Sequence, residues 1–226
     1  MQKISSEEFN NIILKKDYLF HFHTVYTDGK STVREYFDFA FRNNIHTLIF
    51  SEHVRKKTSY NFNELLEDIN NTQRFYPNIK VIIGVEAKIL PESSLDIPEK
   101  ILDEIQLICF ACHSFPDNVV QYRKSFEKLF YEKKWENYIR VWVHPGRFLK
   151  RRNLLKTRIT VLENLLKLAE KEGILIEYNL KEKLPPHKII SFYDRQKIVV
   201  GYDAHSVKEI SELNKYKIAL DYVLKK

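Results

Sequence analysis

The sequence predicts an α/β fold in which parallel strands alternate with helices and close, or nearly close, into a barrel of seven units. Three observations carry this expectation. Seven short apolar runs of strand length recur along the chain, at Tyr18–His23, Thr47–Phe50, Lys80–Val85, Leu107–Ala111, Ile139–Val143, Ile174–Ile176 and Ile198–Val200. Segments of helical periodicity separate them. The 226 residues, 44% of them hydrophobic, supply a core of the size one such domain needs, and residues 1–226 read as a single domain. A doubly wound open sheet is the alternative built from the same alternation.

Taken in order, the chain opens on a helix. Ser5 and Glu8 have capping-box spacing, and Phe9, Ile12 and Ile13 follow at helical spacing. Thr32–Asn43 places Val33, Tyr36, Phe37, Ala40 and Phe41 on one side. Asn63–Phe75, Glu99–Glu104, Val119–Tyr131, Leu155–Glu172 and Val207–Leu224 behave similarly, and Gly173 sits where a helix-ending glycine belongs. Leu184–Arg195 reads as a short helix begun by Pro185-Pro186, and Pro91–Pro98 as a polar loop. The pattern contains no repeat and no linker.

Composition excludes several function classes. No run approaches the roughly 20 apolar residues of a membrane span, so no membrane partner is expected. Met1–Asp17 lacks the apolar run of a signal peptide, and two cysteines cannot build a disulfide framework, so the cytoplasm is the expected location. Only 5 glycines are present, which counts against glycine-rich phosphate cradles. Gly29-Lys30-Ser31-Thr32 mimics the end of a P-loop, but Thr24 stands where the first glycine is required. Cys109 and Cys112 form a C-x-x-C on a strand without a second pair, which argues against a zinc or redox motif. The excess of 37 Lys and Arg over 30 Asp and Glu suits phosphorylated partners, although most of these lysines read as solvated surface.

The histidines are the informative residues. Of 8, six fall at or just beyond the end of a strand: His21, His23, His53, His113, His144 and His205. His46 and His187 fall elsewhere and read as ordinary structural residues. The third strand ends at Glu86 and the sixth in Glu177-Tyr178-Asn179. In parallel α/β architectures the strand C-termini share one face, and sites are built there. His21 and His23, two apart on a strand, are expected to point to one side as a chelating pair. A lone histidine at a strand end is ordinarily a loop hydrogen-bonding group. Six at one mouth, with Asp28, Glu86 and Asp203, would repel or stay unpaired without a cation.

Imidazole and carboxylate together suit Zn²⁺, Mn²⁺ or Fe²⁺. Nine candidate ligands exceed one tetrahedral site, so two or three divalent ions sharing a bridging carboxylate are expected. Such clusters generate a hydroxide near neutral pH and clamp phosphoryl oxygens.

These residues carry a resemblance. Leu19-Phe20-His21-Phe22-His23-Thr24 resembles the D-x-H-x-H-T motif of the PHP (polymerase and histidinol phosphatase) superfamily of metal-dependent phosphoesterases, and Thr27-Asp28-Gly29 its S-D-G. Ser51-Glu52-His53 is similar to T-D-H, Gly84-Val85-Glu86 to the third motif, and Ala111-Cys112-His113 to S-x-H. His144-Pro145-Gly146 matches H-P-G, Glu177-Tyr178-Asn179 resembles E-x-N, and Asp203-Ala204-His205 resembles D-x-H. The likeness runs from Leu19 to His205, and its strength lies in seven motifs in order. It implies a distorted (β/α)7, TIM-like barrel and a trinuclear site. His21, His23, Glu86 and Asp203 would hold one ion; Glu86, His113 and His144 a second; Asp28, His53 and His205 a third. A metal-activated hydroxide would attack phosphorus, with Asp203 or His205 handling a proton. Leu19 and Glu52 depart from the Asp that many members have, which implies an altered partner for a ligand histidine.

A phosphate needs cations, and Arg55, Arg147 and Lys88 leave strand ends on the site face. The basic run Arg147–Arg152 reads as an exposed loop entering the next helix, with a nucleic-acid backbone as its other use. The expected activity is hydrolysis of a small phosphomonoester of the histidinol-phosphate type. A chain of this size fits a stand-alone phosphatase better than a polymerase module. The alternatives are a nuclease or phosphodiesterase acting on nucleic acid or nucleotides, and a catalytically silent metal-binding module.

Overall fold

Seven parallel strands run side by side in the computed structural model, which describes residues 4–57, 59–191 and 193–214. They are β1 (Tyr18–Phe20), β2 (Thr47–Val54), β3 (Lys80–Ile89), β5 (Leu107–Ala111), β6 (Ile139–Trp142), β7 (Leu175–Asn179) and β8 (Ile198–Gly201), hydrogen-bonded in that order. A two-residue β4 (Leu95–Asp96) pairs antiparallel with the end of β3. The longest ladder aligns Thr47 with Lys80 and continues to Val54 with Ala87. The sheet curls until its two ends meet. Past β8, the Tyr202 N–H donates to the Phe20 carbonyl at 3.1 Å and the His23 N–H to the Ala204 carbonyl at 2.8 Å, closing a distorted (β/α)7, TIM-like barrel.

The helices follow their caps and periodicities. In α1 (Ser6–Lys15), the Ser5 side chain accepts from the Glu8 N–H, and Phe9, Ile12 and Ile13 are buried. In α2 (Val33–Arg42), Thr32 and Glu35 form both halves of a capping box, and Val33, Tyr36, Phe37 and Ala40 are buried at helical spacing. Then come α3 (Phe62–Gln73), α4 (Val119–Phe130), α5 (Arg147–Arg151), α6 (Ile159–Lys171) and the short α7 (His187–Ile190). Gly173, at φ +69°, follows α6 in the left-handed conformation that ends helices. A helix begins at residue 207 and is described to residue 214; the rest of the expected Val207–Leu224 helix lies outside the described residues.

Four expectations need correction. The first strand stops at Phe20, because His21 adopts φ +60°. Pro91–Pro98 is more than a polar loop: it folds back as β4, burying Leu95 and Ile97. Glu99–Glu104 forms a 3-10 helix, since six residues between Pro98 and the extended Ile105 bury only Ile101. The basic run is no exposed loop either. Arg147–Arg151 is helical because Phe148 and Leu149 are drawn into the core, where Phe148 stacks on Tyr122 with ring centroids 4.3 Å apart.

The core has two layers, set by the two-residue period of the strands. Leu48, Phe50, Ile83, Val85, Ile108, Phe110, Trp142 and Ile176 face outward and pack with the helices. Phe20, Ile49, Ile82, Leu107, Val141, Leu175 and Val199 fill the barrel, and Phe9, Ile12 and Ile13 of α1 pack with them. The same inward rows run on toward the strand C-termini, where their chemistry changes. Ile49 is followed by Ser51 and His53, Ile82 by Gly84 and Glu86, Leu175 by Glu177, and Val199 by Gly201 and Asp203.

Candidate metal centre

Glu86 stands at the middle of the polar rim. It is fully buried, and imidazoles approach both of its carboxylate oxygens. His113 Nε2 lies 2.9 Å and His144 Nε2 2.8 Å from Oε1, and His53 Nδ1 lies 2.7 Å from Oε2. His21 Nε2 is 3.7 Å from Oε1 and His23 Nε2 3.6 Å from Oε2. On the far side of this pair, Asp203 Oδ1 lies 3.9 Å from His21 Nε2 and 3.7 Å from His23 Nε2. Toward the mouth, Asp28 faces His53 Nε2 at 3.5 Å and His205 Nε2 at 3.4 Å. All nine expected ligands therefore converge. Three groups have their ligand atoms within 4.8 Å of one another: His21, His23 and Glu86; His53, Glu86 and His113; His23, His53 and His205. His46 is exposed and pairs with Asp17 at 3.2 Å, away from the rim.

The electrostatics show what this arrangement lacks. Burial pushes His23 down to about 4 and lowers His113. Burial acts the same way on His53, but the Glu86 and Asp28 carboxylates outweigh it and hold the ring at about 10. Burial would raise Glu86; the His113 and His53 charges hold it well below the usual carboxylate range instead. Asp203 is lowered too, its desolvation outweighed by His23 and His21. Even so, His21 Nε2, both ring nitrogens of His23 and His144 Nδ1 are buried without a hydrogen-bond partner among the described residues. Buried polar atoms left this way are costly. Nitrogen and carboxylate donors in one dry cluster are the set that divalent transition ions satisfy, so the residues fit metal binding.

A model of the PHP domain matches residues 20–181, from the strand before His21 to just past Glu177. The chain belongs to the PHP domain family. Asp203 and His205 lie beyond the matched segment, yet the barrel's closure brings both to the same rim. The chain is also 22% identical over 207 residues to "DNA polymerase/3'-5' exonuclease PolX" of Bacillus subtilis (strain 168), covering 85% of this chain and 35% of that protein. It thus spans about a third of the length of that curated relative.

The PHP rim opens into a cleft of about 600 Å³, lined by Asp28, His53, His113, Asp203 and His205 together with Arg55, Lys57 and Arg147. Arg147 is fixed by Glu182 at 3.1 Å and leans toward Asp203 at 3.7 Å. Glu182 also gathers Lys150 at 2.7 Å and Arg151 at 3.7 Å. Arg55 is anchored by the Val54 carbonyl at 2.6 Å, with Asp96 at 3.9 Å. The expected Lys88 does not line this cleft. β3 runs on into its hairpin with β4, which pairs Lys88 with Asp96.

Two of the departures from the family motifs are resolved by position. Leu19 lies in the outer layer between sheet and helices, facing away from the rim. Glu52 reaches sideways to accept from the Thr24 N–H at 2.6 Å and the Thr27 hydroxyl at 2.5 Å, holding the turn that presents Asp28. Burial pushes Glu52 up to about 7. Gly29 ends that turn, where a Cβ would collide with the His23 main chain. Sequence reasoning left Lys181 unassigned. Its ammonium donates to the Asp203 carbonyl at 3.1 Å and to Glu209 at 3.1 Å, and lies 3.3 Å from His205 Nδ1. No strand-end rule marks it, because it sits in the turn after β7.

Proposed function

We propose that this PHP domain is a metal-dependent phosphoesterase that hydrolyses a small phosphomonoester. The observation that carries the reading is the junction of two features: a ring of imidazoles and carboxylates in which several buried ring nitrogens lack a partner among the described residues, and a cleft over it that presents Arg55, Lys57 and Arg147. His21, His23, Glu86 and Asp203 would hold one ion, Glu86, His113 and His144 a second, and Asp28, His53 and His205 a third. Divalent ions of the Zn²⁺, Mn²⁺ or Fe²⁺ type supply water activation and charge neutralisation at such a site.

The chain's own residues do the rest. Arg147, braced by Glu182, and Arg55 bind the non-bridging oxygens of the phosphoryl group. Asp203 and His205 line the same cleft, and one of them would pass a proton to the departing oxygen. The test is a panel of phosphomonoesters supplied with Mn²⁺ or Zn²⁺, with release of inorganic phosphate as the expected result. A metal-loaded protein that releases none while trimming oligonucleotide ends would support the second reading instead.

That second reading, a nuclease, has two supports. The relative's printed name includes a 3'-5' exonuclease. Beside the cleft, a groove of about 660 Å³ is lined by Lys56, Lys100, Lys128 and Lys134, cations that could follow a nucleic-acid backbone. Glu92, Glu99 and Glu132 line the same groove and offset most of its charge, which favours the small substrate.

A further inference from the structure

The alternation of the barrel's inner rows fails at two histidines, and both failures meet one carboxylate. Tyr18 and Phe20 point into the barrel, so a regular strand would turn Phe22 inward next. Phe22 instead packs in the outer layer, and His21, at φ +60°, turns inward directly after Phe20. At the end of β6, Val141 and Val143 point inward, and His144, at φ +34°, adds a second consecutive inward side chain. Left-handed backbone is unfavourable for residues with a Cβ, so both positions need something to hold them.

Glu177 holds both. One of its oxygens hydrogen-bonds to His21 Nδ1, and the other accepts from the His144 main-chain N–H at 2.5 Å. Asn179 donates a further bond to that second oxygen at 3.1 Å. Glu177 has no solvent exposure and does not line the cleft. Across the β7–β8 ladder stands Gly201, where any Cβ would occupy the space of the Glu177 carboxylate. The barrel thus reserves a place for this side chain.

We propose that Glu177 is a positioning residue that sets two metal ligands at once, His21 through its ring and His144 through its main chain. This rests on the metal-centre reading above. A carboxylate only accepts, so its bond places a His21 proton on Nδ1 and makes Nε2, which faces Glu86 and Asp203, the nitrogen available to an ion. Its other oxygen fixes the His144 turn so that Nε2 reaches Glu86.

Glu177→Gln is the test, because it conserves shape and can still accept from the His144 N–H. Its amide would offer a hydrogen to His21 Nδ1, driving the ring proton to Nε2, where it blocks coordination. Titrating metal-free protein with Zn²⁺ by calorimetry should show binding weakened about 10- to 100-fold, with the thermal midpoint of the metal-free protein close to that of the unaltered chain. A folded Glu177→Gln variant that binds Zn²⁺ as tightly as the unaltered chain would overturn the proposal, and so would one that cannot fold, since the carboxylate would then be scaffold. A second measurement needs no substitution. Histidine ¹⁵N shifts of the Zn²⁺-loaded chain should show His21 protonated at Nδ1 and coordinated through Nε2; coordination through Nδ1 would overturn it. An unaltered chain that binds no Zn²⁺ defeats the metal-centre reading itself, an outcome distinct from failure of Glu177 alone.

Discussion

The two ends of the barrel's interior are built from the same strands by the same two-residue period, yet they reach opposite solutions. At the N-terminal end, Phe20, Ile49, Ile82, Leu107 and Val199 meet Phe9, Ile12 and Ile13 of α1 and form a dry plug. At the C-terminal end the same rows deliver His53, Glu86, Glu177 and Asp203, and ring nitrogens are left buried without partners among the described residues. The first end buries apolar side chains against one another. The second end accepts unsatisfied polar atoms, which a fold tolerates where a ligand completes them.

The sharpest way to break this contrast is at Glu86. Glu86→Ala should remove two ions per chain together and drop phosphoester hydrolysis to background, measured by elemental analysis and by phosphate release. Loss of one ion or none would show that Glu86 does not bridge. The opposite end should respond in the opposite currency. Ile49→Ala should cost about 2–5 kcal/mol in denaturant unfolding while leaving metal stoichiometry intact in the folded fraction. A matching loss of metal would mean that the two ends are not separable.

Protons sharpen the comparison further. In the metal-free chain His53 is held at about 10, so it is charged at pH 7, and an ion that takes its place at the ring must expel that proton. Metal affinity should therefore rise with pH between 6 and 8. Calorimetric titrations in buffers of different ionisation enthalpy should reveal net proton release, and identical heats in both buffers would contradict it. The smallest effect is expected at the cleft wall. Arg147→Ala should raise KM roughly tenfold, the loss of one charge-assisted contact, with a lesser change in kcat. An unchanged KM would remove Arg147 from the phosphate site.

The sequence made the barrel and the ring legible because both follow from strand ends. A short apolar run closed by a histidine or carboxylate places that side chain at the rim whatever the intervening helices do, and all nine expected ligands converge there. The pairing of His21 with His23 came out as expected for a different reason. Regular alternation was to align them, whereas the left-handed turn at His21 is what brings both rings inward. Features that depend on tertiary packing were not legible. Nothing local in Arg147–Arg151 announces that Phe148 will stack on Tyr122 and pull the run into a helix. Nothing in Lys88 itself reveals that β3 will outrun its neighbours and fold back on β4. Glu177 is marked as a strand end and Glu52 as a motif departure, but neither signal says which atoms each one meets, and Lys181 carries no signal at all.

The central claim is that the rim residues around Glu86 enclose divalent ions. Anomalous difference maps from crystals grown with Zn²⁺ test it most directly. Two or three peaks are expected at the rim, two of them within coordination distance of Glu86, flanked by His21, His23, His53, His113, His144 and His205. Maps with no peak at the rim, or with zinc bound only elsewhere on the surface, would contradict it.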